Sequence, residues 1–150
     1  MRRILVTGMS GTGKSSALAE LERRGFRVVD TDYGGFTVGP LWREDLLEAL
    51  LAEDDGRTLF VSGTVENQGR FYESFDAIVL LSAPAEVLLE RIASRRTNAY
   101  GKSAEERALV LDHLRAVEPQ LCATCTHELD ASRPLGEVVA DLMRIASGDA

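Results

Sequence analysis

The chain has 150 residues, of which 45% are hydrophobic and 27% charged, and its formal net charge is -7. This length is enough for one hydrophobic core and too short for two ordinary domains. The acidic balance argues against a nucleic-acid-binding protein, which would need a basic face. No apolar run approaches the ~20 residues of a membrane-spanning helix. Two cysteines cannot form a disulfide scaffold, and they fit a reducing compartment. From the hydropathy and the cysteine count together, we expect a cytoplasmic protein that binds no membrane.

Strand-like and helix-like segments alternate along the chain. A buried strand is predicted over residues 3–7, followed by a glycine-rich turn and a helix over residues 14–24. Further strands are predicted at residues 26–29, 58–61, 77–81 and 127–129, and further helices at residues 41–52, from residue 84, at residues 104–121 and from residue 134. This alternation predicts a parallel sheet covered by helices on both faces, with ligands beyond the carboxyl ends of its strands.

The turn after the first strand carries the strongest chemical motif. The sequence GMSGTGKS at residues 8–15 matches the phosphate-binding pattern GxxxxGK[ST] without a mismatch, between a predicted strand and a predicted helix. Its glycines let backbone N–H groups surround phosphates. We predict that Lys14 binds the β and γ phosphates of ATP, that Ser15 ligates Mg²⁺, and that Ser16 donates to the α phosphate. The predicted nucleotide-binding residues of this loop are Gly8, Gly11, Thr12, Gly13, Lys14, Ser15 and Ser16.

Two carboxylates, Asp30 and Asp32, follow the second predicted strand. Both are expected near the sheet edge that holds the phosphate loop. One of them can hold Mg²⁺, directly or through water, while the other accepts the proton of a hydroxyl that attacks the γ phosphate. Aspartate is also a common turn residue after strands, so a purely structural role stays open.

The combination of GMSGTGKSS at residues 8–16 with a strand that ends in DTD at residues 30–32 resembles the nucleoside-monophosphate kinase and shikimate kinase group, and most of all shikimate kinase. The resemblance implies one P-loop kinase-like domain over residues 1–150, with a three-layer α/β/α P-loop NTPase fold and a five-stranded parallel sheet of order 2-3-1-4-5. It also implies an acceptor-binding segment at residues 33–56 and a short lid at residues 96–103. Asp30 matches the group's acid near Mg²⁺, and Asp32 matches the acid that meets the acceptor hydroxyl.

Arginines lie where this group has its lid and its adenine-binding loop. Arg95 and Arg96 follow the helix after the fourth strand, where a guanidinium can meet the charge that spreads over a transferred phosphoryl group. A charge run is also typical of a solvated helix face, and this alternative stays open. Arg115, ahead of a proline in the long helix, resembles the arginine that faces the acceptor or the γ phosphate. Arg133 and Pro134 resemble the loop that lies against adenine.

The sequence departs from the group where the acceptor should be recognised. Residues 62–68 read SGTVENQ, whereas shikimate kinase would have a glycine triplet. Glu66, with the room left by Gly63, can bind a hydroxylated acceptor, and a polar loop that caps a helix is the alternative. Arg43 suits a substrate carboxylate, and it and the neighbouring Trp42 can equally be packing residues. The sequence therefore leaves the acceptor unidentified.

The motif CxxCxH near the end of the chain offers a different chemistry. Cys122, Cys125 and His127 supply at most three zinc ligands, whereas a structural zinc site needs four. No thioredoxin-like setting surrounds the cysteines. We therefore expect free thiols rather than a zinc site.

Two functions remain after these exclusions. The first is a phosphotransferase that moves the γ phosphate of Mg-ATP to a hydroxyl or phosphate of a small-molecule or nucleotide acceptor, which the two aspartates and the lid arginines favour. The alternative is a nucleotide-binding regulatory protein or slow ATPase without a small-molecule acceptor, which the unfamiliar sequence at residues 62–68 favours.

Overall fold

The computed structural model describes residues 2–9, 11–94 and 103–148. In chain order its elements are β1 (Arg3–Thr7), α1 (Lys14–Arg23), β2 (Arg27–Asp30), β3 (Thr37–Val38), β4 (Leu41–Trp42), α2 (Glu44–Ala52), β5 (Leu59–Ser62), a 3-10 helix (Gln68–Ser74), β6 (Ala77–Ser82), α3 (Ala85–Ser94), α4 (Ala104–Thr124), β7 (His127–Asp130) and α5 (Leu135–Ala146). Within these described ranges, none of the helices combines the length and the apolar character needed to cross a membrane.

The main sheet contains five parallel strands in the order β2-β5-β1-β6-β7. Counted along the chain without the hairpin strands, these five follow the order 2-3-1-4-5 that the resemblance implied. Strands β3 and β4 form a separate antiparallel pair that was not predicted. The strand numbers in the observed order differ from those in the expected order only because the β3–β4 hairpin is counted along the chain.

The hairpin corrects the predicted start of the second helix, which begins at Glu44 and not at residue 41. Val38 pairs with Leu41, so the connecting loop has two residues. Its first residue, Gly39, has a φ of 60°. A positive φ at this position followed by Pro40 suits the tight turns that join two antiparallel strands. Local turn chemistry therefore overrides the helical pattern of the leucines that follow.

The central strand β1 is buried between two layers of helices. Ile4 and Val6 lie in one apolar cluster with Leu142 of α5, and helix α1 belongs to the same cluster. Leu5 lies in a second cluster with Leu47 of α2 and with side chains of the 3-10 helix. Because successive strand residues face opposite sides of the sheet, the architecture has the three α/β/α layers that were expected.

The strand register brings the candidate chemistry to one edge of the sheet. In β5, Ser62 lies level with Val6 of β1 on one side and with Asp30 of β2 on the other. The loop that leaves β1 after Thr7 and the acidic end of β2 are therefore both at the carboxyl edge, separated by one strand.

We expect Leu142→Ala to lower the free energy of unfolding by about 2–5 kcal/mol, because truncation of a buried leucine leaves a cavity. The Leu142 side chain is 0% exposed. Leu135 in the same helix is 40% exposed, and Leu135→Ala is the matched control, with an expected change of about 0.5 kcal/mol. Urea unfolding measures both values, and equal losses in the two variants would contradict this assignment of the core.

Candidate functional site

The loop between β1 and α1 opens on a cavity of about 470 Å³, which residues 11–16 line on one side. Gly11 has a φ of 88°, and a Cβ atom there would lie 2.9 Å from the carbonyl oxygen of Leu88 in α3. A side chain at this position would therefore collide with the helix backbone. Gly13, in the left-handed conformation, caps α1. The amino end of α1, where backbone N–H groups lack partners within the helix, consequently faces a space suited to an anion.

Lys14 begins α1 and lines the same cavity. Its Nζ donates to the carbonyl oxygen of Gly8 at 2.5 Å and to that of Met9 at 3.2 Å. The ammonium group therefore lies against the first residues of the loop. A phosphate bound in the cavity would compete with these two carbonyls for the ammonium group.

Asp30 and Asp32 lie on the side of the cavity next to β2. The Ser15 hydroxyl donates to Asp30 Oδ2 at 2.6 Å, and the backbone N–H of Asp32 donates to Asp30 Oδ1 at 3.1 Å. Asp32 itself lines the cavity. Desolvation by the surrounding protein raises the pKa of Asp32, the charge of Asp30 raises it further, and the Lys14 ammonium opposes these two effects. Asp32 is thus a carboxyl group that binds a proton more readily than an ordinary aspartate.

The Ser15 hydroxyl and the Asp30 carboxylate form an adjacent pair of hard oxygen donors. Mg²⁺ prefers such donors and usually combines one or two carboxylates with waters and phosphate oxygens. In the part of the chain that the structure describes, no group of three or more His, Cys, Asp or Glu residues could hold a metal ion. One hydroxyl and one carboxylate are a donor set that fits Mg²⁺ completed by phosphate oxygens and waters.

The opposite wall of the cavity comes from α3 and from the segment that joins β7 to α5. Arg91 lines this wall, and its Nη1 donates to the carbonyl oxygen of Gly11 at 3.3 Å. Arg133 also lines it and donates through Nη2 to Asp141 at 2.6 Å. Apolar surface is supplied by Ala131, Leu135 and Val138. The cavity thus has a polar end at the phosphate loop and a partly apolar end at α5.

Most of the predicted nucleotide-binding residues meet at this cavity. Its lining includes Gly11, Thr12, Gly13, Lys14, Ser15, Ser16, Asp32 and Arg133. Gly8 and Asp30 lie just behind the lining, where they bond to Lys14 and Ser15. Pro134 adjoins Arg133 in sequence and caps α5 without being part of the lining.

The residues predicted to bind the acceptor are not brought together in the same way. Of the described candidates, Asp32 lines the cavity, whereas Arg43, Gly63, Glu66 and Arg115 lie outside its lining. Arg43 is paired with Asp45 at 3.7 Å. Glu66 and Arg115 are exposed. Arg95 and Arg96 lie outside the described residues, as does almost all of the predicted lid.

The room that Gly63 leaves is taken by Trp42 and Thr31. A Cβ atom on Gly63 would lie 2.4 Å from Thr31 Oγ1 and 3.0 Å from Cζ2 of Trp42. Trp42 is 2% exposed, and its Nε1 donates to Thr31 Oγ1 at 2.8 Å. The close packing of an indole ring therefore explains this glycine, and it corrects the expectation that Gly63 leaves space for an acceptor.

Four residues of the cavity lining were missing from the predicted site, namely Arg91, Ala131, Leu135 and Val138. Arg91 comes four residues before Arg95 in sequence, so the 3.6-residue period of the predicted helix could have pointed to it. Tyr33 directly follows Asp32 and is 64% exposed while lining the cavity. It is the first residue of the acceptor-binding segment expected at residues 33–56, although it was not itself named as a site residue.

A second, larger cavity of about 760 Å³ lies between α4 and the ends of β6 and β7. Glu118, Glu128 and Asp130 line it, so it would repel a phosphate chain. Cys122 donates to Glu128 at 3.4 Å, and this contact raises the pKa of the Cys122 thiol. Burial raises the pKa of Cys125. Cys122 and Cys125 form no disulfide bond, and a raised pKa lowers the fraction of each thiol that is present as the nucleophilic thiolate.

Two curated relatives cover most of this chain. A nucleotide-binding protein from Thermotoga petrophila is 28% identical over an alignment of 148 positions, which covers 85% of this chain and 50% of that protein. Shikimate kinase 2 from Yersinia enterocolitica is 26% identical over an alignment of 175 residues, covering 97% of this chain and 96% of that enzyme. The chain therefore spans half the length of the first relative and almost the whole of the second.

Solved structures share the fold described above. A shikimate kinase from Bacteroides thetaiotaomicron has a TM-score of 0.72 at 18% identity, covering 97% of this chain and 98% of that one. A gluconokinase from Sinorhizobium meliloti has a TM-score of 0.68 at 24% identity, covering 98% and 94%. These likenesses confirm the α/β P-loop NTPase fold.

The family comparison covers the segment that carries most of the candidate site. Residues 4–112 match a family described as the AAA domain. This segment contains the phosphate loop, both aspartates of the DTD sequence and Arg91. Because the match extends over more than half of the chain, the protein belongs to the AAA domain family, and it has the fold of the P-loop small-molecule kinases.

Proposed function

We propose that this protein transfers the γ-phosphoryl group of ATP to a small-molecule or nucleotide acceptor. The observation that carries the proposal is that Lys14, the phosphate loop and the proton-binding carboxyl group of Asp32 line one cavity. Binding of nucleotide requires only the loop, whereas transfer also requires a group that takes a proton from the acceptor. Relatives and structural neighbours named as kinases support the same activity.

ATP would bind with its phosphates along residues 11–16 and its base toward the wall that contains Arg133 and Leu135. The amino end of α1 and the Lys14 ammonium would stabilise the phosphate charge. Ser15 and Asp30 are the proposed ligands of Mg²⁺, which would neutralise charge on the phosphate oxygens when bound. The hydrogen bond between the Ser15 hydroxyl and the Asp30 carboxylate keeps these two oxygen donors adjacent.

Asp32 is the proposed acceptor of the hydroxyl proton. As the acceptor oxygen forms a bond to the γ phosphorus, the bond between that phosphorus and the β–γ bridging oxygen breaks, the hydroxyl proton passes to an Asp32 oxygen, and ADP leaves. A base works best when its pKa approaches the working pH. Desolvation and the Asp30 charge both move the pKa of Asp32 in that direction.

We infer that Arg91 acts with the predicted lid arginines on the transferred group. Arg91 lines the cavity and reaches the loop carbonyl of Gly11. A guanidinium group at this place can stabilise the negative charge that spreads over the phosphoryl oxygens. The proposal also includes a lid at residues 96–103, which follows Arg95 and begins with Arg96. It includes the acceptor-binding segment at residues 33–56 and a role for Arg115 in facing the acceptor or the γ phosphate.

A second candidate is a nucleotide-binding regulatory protein or slow ATPase. The relative named only as a nucleotide-binding protein favours it, as does the position of Arg43 and Glu66 outside the cavity. A coupled assay of ADP release separates the two functions. It contains Mg-ATP and, one at a time, members of a panel of sugars, polyols, nucleosides, nucleotides and cyclic hydroxy acids. An acceptor that raises ADP release far above the rate with ATP alone supports the kinase. ATP binding with no such acceptor supports the second candidate.

We expect Lys14→Ala to raise the Kd for ATP by about tenfold or more, which is ~1.4 kcal/mol or more of binding free energy. We also expect this variant to abolish turnover, because the ammonium group is the main charge of the phosphate loop. Arg23→Ala is the control, since Arg23 lies exposed at the other end of α1 and pairs with Glu20. Titration calorimetry and the ADP assay provide the two measurements. Unchanged turnover in Lys14→Ala would rule out its catalytic role.

We expect Asp32→Asn to leave the Kd for ATP within about twofold and to lower kcat by about 10²–10⁴, the usual contribution of a positioned acid or base. The asparagine keeps the shape of the side chain and cannot accept the proton. Asp112→Asn on the exposed side of α4 is the control. If ATP affinity fell while transfer per bound ATP stayed constant, Asp32 would instead be a metal-binding or structural residue.

The raised pKa of Asp32 also predicts a pH-dependent effect on stability. The pKa of Asp32 in the folded protein lies above the ordinary value of 3.8, so the folded state binds the proton more tightly than the unfolded state does. Stability is therefore lost as pH rises from about 4 through the folded-state pKa. In thermal unfolding without nucleotide, Asp32→Asn should have a higher melting temperature than the parent protein near pH 7. Near pH 4 this gain in melting temperature should be smaller. A gain of equal size at both pH values would contradict this origin.

A further inference from the structure

We propose that Thr64 is a positioning residue that fixes the first glycine of the phosphate loop for nucleotide binding. The Thr64 hydroxyl accepts a hydrogen bond from the backbone N–H of Gly8 at 3.1 Å and donates to the carbonyl oxygen of the same residue at 2.6 Å. Thr64 follows β5 and is 56 residues away from Gly8 in sequence. The inference rests on the proposed binding of nucleotide at this loop.

Thr64 is the end of a chain of hydrogen bonds that begins in the 3-10 helix. Gln68 Nε2 donates to Thr7 Oγ1 at 3.2 Å and to the Tyr72 hydroxyl at 3.0 Å. Thr7 Oγ1 lies 3.1 Å from Thr64 Oγ1. Because Gln68 supplies the proton at Thr7, the Thr7 hydroxyl donates to Thr64, whose own proton goes to Gly8.

The direction of this chain is set by the Gln68 amide. Its Oε1 accepts from the backbone N–H of Val65 at 2.9 Å, so its Nε2 must face Thr7. Thr7 and Gln68 are 0% and 3% exposed. Buried polar groups of this kind are stabilising only when every donor and acceptor has a partner. The arrangement therefore holds Thr64 in one orientation relative to Gly8.

Gly8 lies between Thr64 and the end of β6. Its φ is 151°, and a Cβ atom there would lie 2.5 Å from the carbonyl oxygen of Leu81 at the end of β6. The backbone of Gly8 is therefore enclosed by β6 on one side and by Thr64 on the other. A side chain at this position would therefore collide with the backbone of β6, so a glycine is needed beside Thr64.

The Gly8 carbonyl links Thr64 to the function of Lys14. Two donors share this oxygen, Thr64 Oγ1 at 2.6 Å and Lys14 Nζ at 2.5 Å. When the Lys14 ammonium moves to a phosphate, the carbonyl keeps Thr64 as a donor. Without the Thr64 hydroxyl, the same movement would leave the carbonyl with one partner fewer in a partly buried place, which opposes nucleotide binding.

Thr64→Val tests the proposal because valine keeps the shape of threonine and lacks its hydroxyl. We expect the Kd for a non-hydrolysable ATP analogue with Mg²⁺ to rise about tenfold, which is ~1.4 kcal/mol. Thr64→Ser retains the hydroxyl and should restore the Kd to within about twofold of the parent value. Titration calorimetry gives the affinities, and thermal unfolding of each variant gives its stability.

Thr126→Val is the matched control. The Thr126 hydroxyl accepts from the N–H of Ile78 at 2.9 Å and donates to its carbonyl oxygen at 3.0 Å, which is the same pattern at the far end of β6. Its loss should lower the melting temperature and leave the affinity for the ATP analogue unchanged. The expected result is that Thr64→Val and Thr126→Val lose similar amounts of stability, while only Thr64→Val loses affinity for the ATP analogue. This result supports a positioning role for Thr64, because general destabilisation would affect both variants alike.

Each other outcome overturns the inference. An unchanged Kd in Thr64→Val, or an equal change in Thr126→Val, would show that the Gly8 contact does not serve nucleotide binding. If Thr64→Val does not fold, the test depends on Thr64→Ser. A Thr64→Ser protein that binds the analogue more weakly than the parent protein would then also overturn the inference. The readout needs no acceptor, so an unsuccessful search for an acceptor affects only the proposed kinase. A parent protein that does not bind the analogue would overturn both.

Discussion

The backbone of Gly8 is the point on which the candidate site depends. It follows strand β1, whose last four residues are buried, and lies against the Leu81 carbonyl, so the direction in which the loop leaves the sheet is fixed by the core. Thr64 and Lys14 both bond to its carbonyl oxygen. The position of α1, with its amino end toward the cavity, follows from this start of the loop. Hydrophobic burial of β1 thus determines where a phosphate chain can be bound.

Electrostatics explain why a phosphate would choose the smaller of the two cavities. The chain as a whole carries a formal net charge of -7, and the larger cavity is lined by three acids. The smaller cavity instead contains Lys14, Arg91 and Arg133 with Asp32 as its only acidic lining residue among those described. The amino end of α1 adds partial positive charge there. A local excess of positive charge within an acidic protein directs an anionic ligand to the phosphate loop.

The parts of the site that could be predicted are those encoded by local sequence. The phosphate loop has fixed spacing, and the DTD aspartates are adjacent to a strand, so topology alone brings them to one edge. The hairpin at residues 37–42 was missed because a Gly-Pro turn competes with the helical pattern of the leucines after it. The roles of Gly63 and Thr64 depend on partners far away in sequence, namely the Trp42 ring and the Gly8 backbone. Such contacts have no period or motif from which a single sequence could reveal them.

The environment of Asp32 favours transfer over mere binding of nucleotide. A carboxyl group that the fold desolvates and sets beside Asp30 destabilises the folded protein in its charged form. Ser15 and Asp30 are the proposed hydroxyl and carboxylate ligands of Mg²⁺, so a protein that only binds or slowly hydrolyses ATP would gain little from a second acid at this place. A phosphotransferase does gain from it, since an acid with a raised pKa is a more effective acceptor of the proton that the attacking hydroxyl must lose. The position of Asp32 in the lining of the phosphate-loop cavity and the raised direction of its pKa therefore support the proposed hydroxylated acceptor beside it.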